Sequence, residues 1–127
     1  MTKLRKILYW FFTLWLSLGM TATAAGQLLK WNEGQGAVDA IVHLGYPVYF
    51  LTIIGIWKVL GTVAMLAPRT PLLKEWAYAG FFFTMTGAVA SHLTVGDGLV
   101  AALPALLLLV LTVLSWYLRP ESRKLAA

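Results

Sequence analysis

Residues 99–118 read LVAALPALLLLVLTVLSWYL, twenty positions without one charged side chain. A hydrocarbon core about 30 Å thick takes about 20 mostly apolar residues of α-helix. The run is long enough to cross it, and nothing in it needs water. Apolar residues fill odd and even positions alike, so the period-2 pattern of a membrane β-barrel is absent. Pro104 lies inside the run, where a membrane helix either kinks or lets its neighbours absorb the lost hydrogen bond.

Working back toward the N-terminus, three more such runs appear, at 76–95, 46–66 and 7–29. A tight Gly96-Asp97-Gly98 turn, a short basic turn at 67–75 and a polar loop at 30–45 separate them. Composition agrees: 60% of the 127 residues are hydrophobic and 12% are charged, against about 45–50% and 25% for soluble domains. A soluble fold of this size buries only about two-thirds of its unfolded surface, so a soluble enzyme and a disordered tail are both excluded. With no cysteine, there is no disulfide, thiolate metal site or thiol relay. No internal repeat or linker divides the chain. The expectation is an all-α, single-domain integral membrane four-helix bundle, running up-down-up-down. Pro47 suits the first turn of the second helix, and Pro68 and Pro71 stop the chain after it.

The net charge of +5 is a signal of orientation. Lys3, Arg5 and Lys6 precede the first run, Arg69 and Lys74 lie between the second and third, and Arg119, Arg123 and Lys124 follow the fourth. These eight of the ten basic residues share one side of a four-span arrangement, the side that faces the cytoplasm. Both termini are then cytoplasmic, and the opposite side holds Lys30, Glu33, Asp39 and Asp97. This reading outweighs nucleic-acid binding and makes the bilayer the first partner. Tyr9, Trp10, Trp15, Trp31, Trp76, Tyr78, Trp116 and Tyr117 fit interfacial positions, where amphipathic rings collect. A rival reads residues 1–24 as a cleaved signal peptide ending in Ala22-Thr23-Ala24. The apolar run continues to Leu29, longer than such peptides usually are.

Helices in lipid associate through small residues and hydrogen bonds. The third run offers Ala77, Gly80, Thr84, Gly87 and Ser91 on one face, the first Thr13, Ser17, Thr21 and Ala24, and the second Thr52, Gly55 and Thr62. Helix packing is the plainer use of these faces, and a ligand channel the alternative.

The candidate functional residues are Lys58, Glu75, Tyr78, His92 and Asp97. Lys58 lies eight residues from the inner end of its run, about 12 Å at 1.5 Å per residue. A charge at that depth costs several kcal/mol, and Gly55 and Thr62 place it on the small-residue side. It can bind an anion or a quinone carbonyl, carry protons, or rest on carbonyls, hydroxyls or Glu75. Glu75 opens the third helix, where a carboxylate is favourable. His92 and Asp97 mark its outer end as a relay or a weak metal pair, but His43 is not placed well enough to complete a metal site. Neither a nucleophile–base triad nor a bis-histidine haem site is evident. The small multidrug resistance transporters depend on a glutamate in their first helix, and residues 7–29 hold none.

Gly45-Tyr46-Pro47, the stretch Ile54-Gly55-Ile56-Trp57-Lys58-Val59-Leu60-Gly61, Lys74-Glu75-Trp76-Ala77-Tyr78-Ala79-Gly80-Phe81, then Gly87-Ala88, Ser91-His92 and Gly96-Asp97 follow in order. Their order and spacing over roughly residues 8–118 resemble the DoxX-like family of small bacterial membrane proteins. The resemblance implies a four-helix bundle in the bacterial inner membrane. Because the name-giving members are membrane subunits tied to thiosulfate oxidation and quinone reduction, it also implies a redox association. Lys58, Glu75, Tyr78, His92 and Asp97 coincide with the family pattern. Three functions stay open. The first is an accessory subunit without established catalysis, associated with a redox partner or a quinone. The second is a small oligomeric transporter or channel using Lys58 as substrate or proton site. The third, an enzyme acting on a lipid or quinone, has least support. No cofactor or metal is evident beyond that candidate quinone.

Overall fold

The computed structural model describes residues 2–30 and 36–125. Among them all regular structure is helical: α1 (Lys3–Leu28), α2 (Ala37–His43), α3 (Phe50–Leu66), α4 (Pro71–Thr94), α5 (Leu99–Leu118) and a 3-10 turn (Glu121–Arg123). Trp31 and Glu33 lie outside the described residues.

α5 has the expected bounds and runs unbroken through Pro104. The other three long helices depart from expectation at their ends. α1 begins at Lys3, because Thr2 caps it by accepting a hydrogen bond from the Arg5 N–H at 3.2 Å; a capping hydroxyl satisfies one of the free N–H groups of a first turn. α3 begins at Phe50, after a turn in which the Phe50 N–H donates to the Pro47 carbonyl at 3.1 Å. Pro47 therefore precedes the helix. Pro71 starts α4 where a stop was expected, since a first-turn proline gives up an N–H that has no helical partner. Glu75 consequently sits in the second turn of α4 and does not open it.

The short α2 is a fifth helix, inside the stretch read as a polar loop. Its seven residues are too few for a membrane-length pattern, and only Ile41 is buried. It rests mainly on α3 and α1.

Contacts between residues far apart in the chain give the directions of the long helices. Along α1, Arg5 reaches Tyr117, Thr13 reaches Ser115, and Gly19 approaches Leu108, so α1 and α5 are antiparallel. Lys58 reaches Thr23, and Gly55 approaches Leu28, so α1 and α3 are antiparallel. Lys74 reaches Ala64 and Phe81 packs on Gly61, so α3 and α4 are too. Trp116 donates to Glu75, which sets α5 against α4 in the same sense. The long helices thus form a ring in the order α1, α3, α4, α5. The core between them is Leu16, Met20, Met65, Tyr78, Phe81, Met85 and Leu111.

Glycine lets the helices come close where they touch. A Cβ on Gly19 would lie 2.7 Å from Leu108, on Gly55 2.6 Å from Leu28, and on Gly61 2.7 Å from Phe81. Such close approach lets helices associate without the hydrophobic drive that operates in water. Hydroxyls add to it. The Thr13 and Ser115 hydroxyls are 2.6 Å apart, and Ser115 is 2.8 Å from the Tyr78 hydroxyl, which links α1, α5 and α4 in the buried interior. Tyr9 and Tyr78, expected at an interface, are core residues instead.

α1 and α5 are long and apolar enough to cross a membrane, and α3 is apolar over a shorter 17 residues. α4 is as long as a span needs, but Lys74, Glu75 and its Gly, Ser, Thr and His residues dilute its apolar character.

Candidate functional site

The small-residue face of α4 is the first surprise. A Cβ added to Gly80 or Gly87 would meet nothing within 4 Å. The face expected to pack against another helix opens instead on a cavity of about 690 Å³ between α3 and α4. Ala77, Gly80, Thr84, Gly87 and Ser91 form one wall, and Ile54, Trp57, Lys58, Gly61 and Ala64 of α3 form the other. From Trp76 to Ser91 the groove follows α4 for about 22 Å at 1.5 Å per residue. Trp57 and Phe83 line it and are also 67% and 69% exposed, so it opens on the flank of the bundle. α2 covers one end with Ala37, Ala40 and Ile41.

Lys58 lies in this groove. It is the ninth residue of the 17 in α3, midway along the helix, and only 5% exposed. Its ammonium donates to the Thr23 hydroxyl of α1 at 3.0 Å. The expected pairing with Glu75 does not occur. Glu75 forms an ion pair with Arg119 at 2.8 Å and accepts from the Trp116 indole N–H at 3.1 Å, because its position in the second turn of α4 turns it toward α5. Gln27, one turn beyond Thr23 on α1, also lines the groove, and its buried side-chain oxygen has no hydrogen-bond partner among the described residues.

The other candidates fall elsewhere. Tyr78 belongs to the hydroxyl chain with Ser115, beside a smaller apolar cavity between α4 and α5. His92 and Asp97 meet at the opposite end of the bundle from the termini. Asp97 sits between Gly96 and Gly98, whose φ values of 81° and 84° need residues without a Cβ. That turn aims the carboxylate at two imidazoles: His92 Nδ1 at 2.8 Å and His43 Nε2 at 2.5 Å. The hydrogen bonds from His43 and then His92 hold the Asp97 carboxyl below its ordinary value. His43, which the sequence left unplaced, reaches the cluster on α2. Among the described residues no group of three His, Cys, Asp or Glu is disposed to hold a metal ion, so this is a hydrogen-bonded clasp between α2 and the α4–α5 turn.

Two of the basic residues do more than set orientation. The Lys74 ammonium donates to the carbonyls of Ala64 (3.0 Å) and Ala67 and to the Thr70 hydroxyl (2.8 Å). Arg123 donates to the carbonyls of Met65 and Leu66 at 2.8 and 3.0 Å. Together they satisfy the open C-terminal carbonyls of α3, the end that attracts cations. The signal was available in the sequence, since Lys74 follows a helix end closed by Pro68.

The DoxX-like family model matches residues 11–115. The chain belongs to the DoxX-like family. No curated protein and no solved structure matches it. In this DoxX-like protein the motif around Lys58 supplies one wall of the groove and the motif around Gly80 supplies the other. The Gly96-Asp97 motif builds the clasp at its far end. Family membership and helices of membrane-spanning length make it a membrane protein.

Proposed function

We propose that the chain is a multi-pass protein of the bacterial inner membrane, with four spans and both termini in the cytoplasm, and that it works as an accessory binding subunit without catalysis of its own. Antiparallel packing supports the four spans: a bilayer crossed by α1 and α5 is also crossed by the helices clasped between them. At about 1.5 Å per residue, the 17 residues of α3 reach about 25 Å, at the short end of the spanning range. The basic residues before α1, around the α3–α4 turn and after α5 gather at one end of the bundle, as cytoplasmic flanks do.

One observation carries the binding role: the small-residue face of α4 opens on an apolar groove with Lys58 at its middle. Such a groove takes a molecule with one long apolar chain and a head that accepts hydrogen bonds from Lys58. Quinones and single-chain lipids both meet that description, and a quinone would link the subunit to a redox partner.

Mass spectrometry of organic extracts of the purified protein tests this reading. The wild type retains a chain-bearing molecule near one per protein, and Gly80→Leu, which fills the groove, loses it. Identical extracts holding bulk lipid alone would reject the groove as a binding site.

A further inference from the structure

The charge of Lys58 says more about the head of the groove's occupant than the shape of the groove does. Its ammonium is almost wholly buried, and its hydrogen-bond partner is one neutral hydroxyl. Among the described residues no carboxylate lies within ion-pair range of it. Glu75 is held by Arg119, Asp97 by two imidazoles, and Glu121 by Lys124 at 3.0 Å. A buried cation is ordinarily paired, because desolvation costs several kcal/mol per ion, and intramembrane charges face a partner or a pathway. Among the described residues none forms an ion pair with it.

From this we propose that the counter-ion of Lys58 is the carboxylate of a long-chain fatty acid lying in the α3/α4 groove. The proposal rests on the groove reading above and narrows it to an anion. A neutral carbonyl would accept one hydrogen bond and leave the positive charge uncompensated, whereas a carboxylate cancels it. A phosphate monoester carries close to two charges and three acceptor oxygens, more than one ammonium can balance. Gln27 supplies the second polar contact. Its amide faces the groove with an unpartnered oxygen, and turning the amide over presents its NH2 group instead, a donor for the second carboxylate oxygen. The alkyl chain then runs along Gly80, Thr84 and Gly87, where no side chain occupies the space.

Tryptophan fluorescence in neutral phosphatidylcholine nanodiscs tests the charge, because Trp57 and Trp76 line the groove. The probes are dibromostearic acid and the corresponding dibromo-alcohol, which differ only at the head. The acid is expected to quench the wild type at about tenfold lower concentration than the alcohol, the yield of one charge-assisted hydrogen bond. Lys58→Gln brings the two midpoints together, and Lys58→Arg keeps them apart. Equal midpoints in the wild type would overturn the anion while leaving the groove reading standing, and would do so even were Lys58→Gln unable to fold. Quenching by both probes that Gly80→Leu leaves unchanged would instead remove the groove reading.

Discussion

Ser115 is the point where three helices share one hydroxyl. It is fully buried, 2.6 Å from the Thr13 hydroxyl and 2.8 Å from that of Tyr78. Ser115→Ala removes both links with almost no change of volume. Interhelical hydrogen bonds in membranes average about 0.6 kcal/mol each and reach about 1.7. Thr13 recovers part of its loss, because a helical threonine can donate to a carbonyl of its preceding turn. Tyr78 cannot, since its hydroxyl stands far from its own backbone, and an orphaned buried hydroxyl costs about 1–3 kcal/mol. The expected destabilisation is about 1–3 kcal/mol. Tyr78→Phe removes one bond and leaves Ser115 with Thr13, so its cost stays at about 0.6–1 kcal/mol. Unfolding in mixed micelles, read by tryptophan fluorescence across the cycle of single and double variants, isolates the coupling of the pair. A coupling of zero, with Ser115→Ala as stable as wild type, would refute the view that this hydroxyl chain holds α4 and α5 to α1.

Three further outcomes are expected. The clasp of His43, Asp97 and His92 should release only in acid. A neutral imidazole keeps one N–H to donate, so the bonds persist until Asp97 is protonated. Because the folded value of Asp97 is depressed, its contribution is complete above the unfolded value of 3.8 and is lost as pH falls through the lower folded value. The chain has no cysteine, so a nitroxide on Val42→Cys reports the mobility of α2. That mobility should rise below about pH 4 in the parent and be high at every pH in Asp97→Asn. The glycines should divide in two. Gly87→Ala, which meets nothing within 4 Å, should stabilise the helix by about 0.5–1 kcal/mol, whereas Gly61→Val, driven into Phe81, should cost about 1–3 kcal/mol; thermal unfolding of both variants decides. Lys74→Met should destabilise by about 1.5–3 kcal/mol by uncovering the C-terminal carbonyls of α3. Adding Arg123→Met should cost more than the sum of the singles, since both cations serve the same turn, and strict additivity would contradict a shared cap.

Much of the helical fold was legible in the residues themselves. The run 99–118 became α5 with the same bounds, and the other three runs became helices that differ from them at their ends. Helix formation and hydropathy are local properties, so a stretch of twenty apolar residues declares itself without its neighbours. The errors at Pro47 and Pro71 are local too, because proline reads equally well as a stop or as a first-turn residue. α2 escaped because seven residues carry too little periodicity to stand out.

The site was legible only in its ingredients. Lys58 declared itself as a charge in an apolar run, and the family likeness rested on the motifs that now face each other across the groove. What the small face of α4 does could not be read there: Gly80, Gly87 and Gly61 are the same residue in similar helices, yet two meet empty space and one meets Phe81. Nor could the sequence assign Glu75 to Arg119 or bring His43 to Asp97 across 54 residues. Apolarity, helical period and the placement of basic residues belong to each segment and need no partner. Whether a surface is packed, paired or open depends on what another segment brings to it, and only the arrangement of the helices around one another decides that.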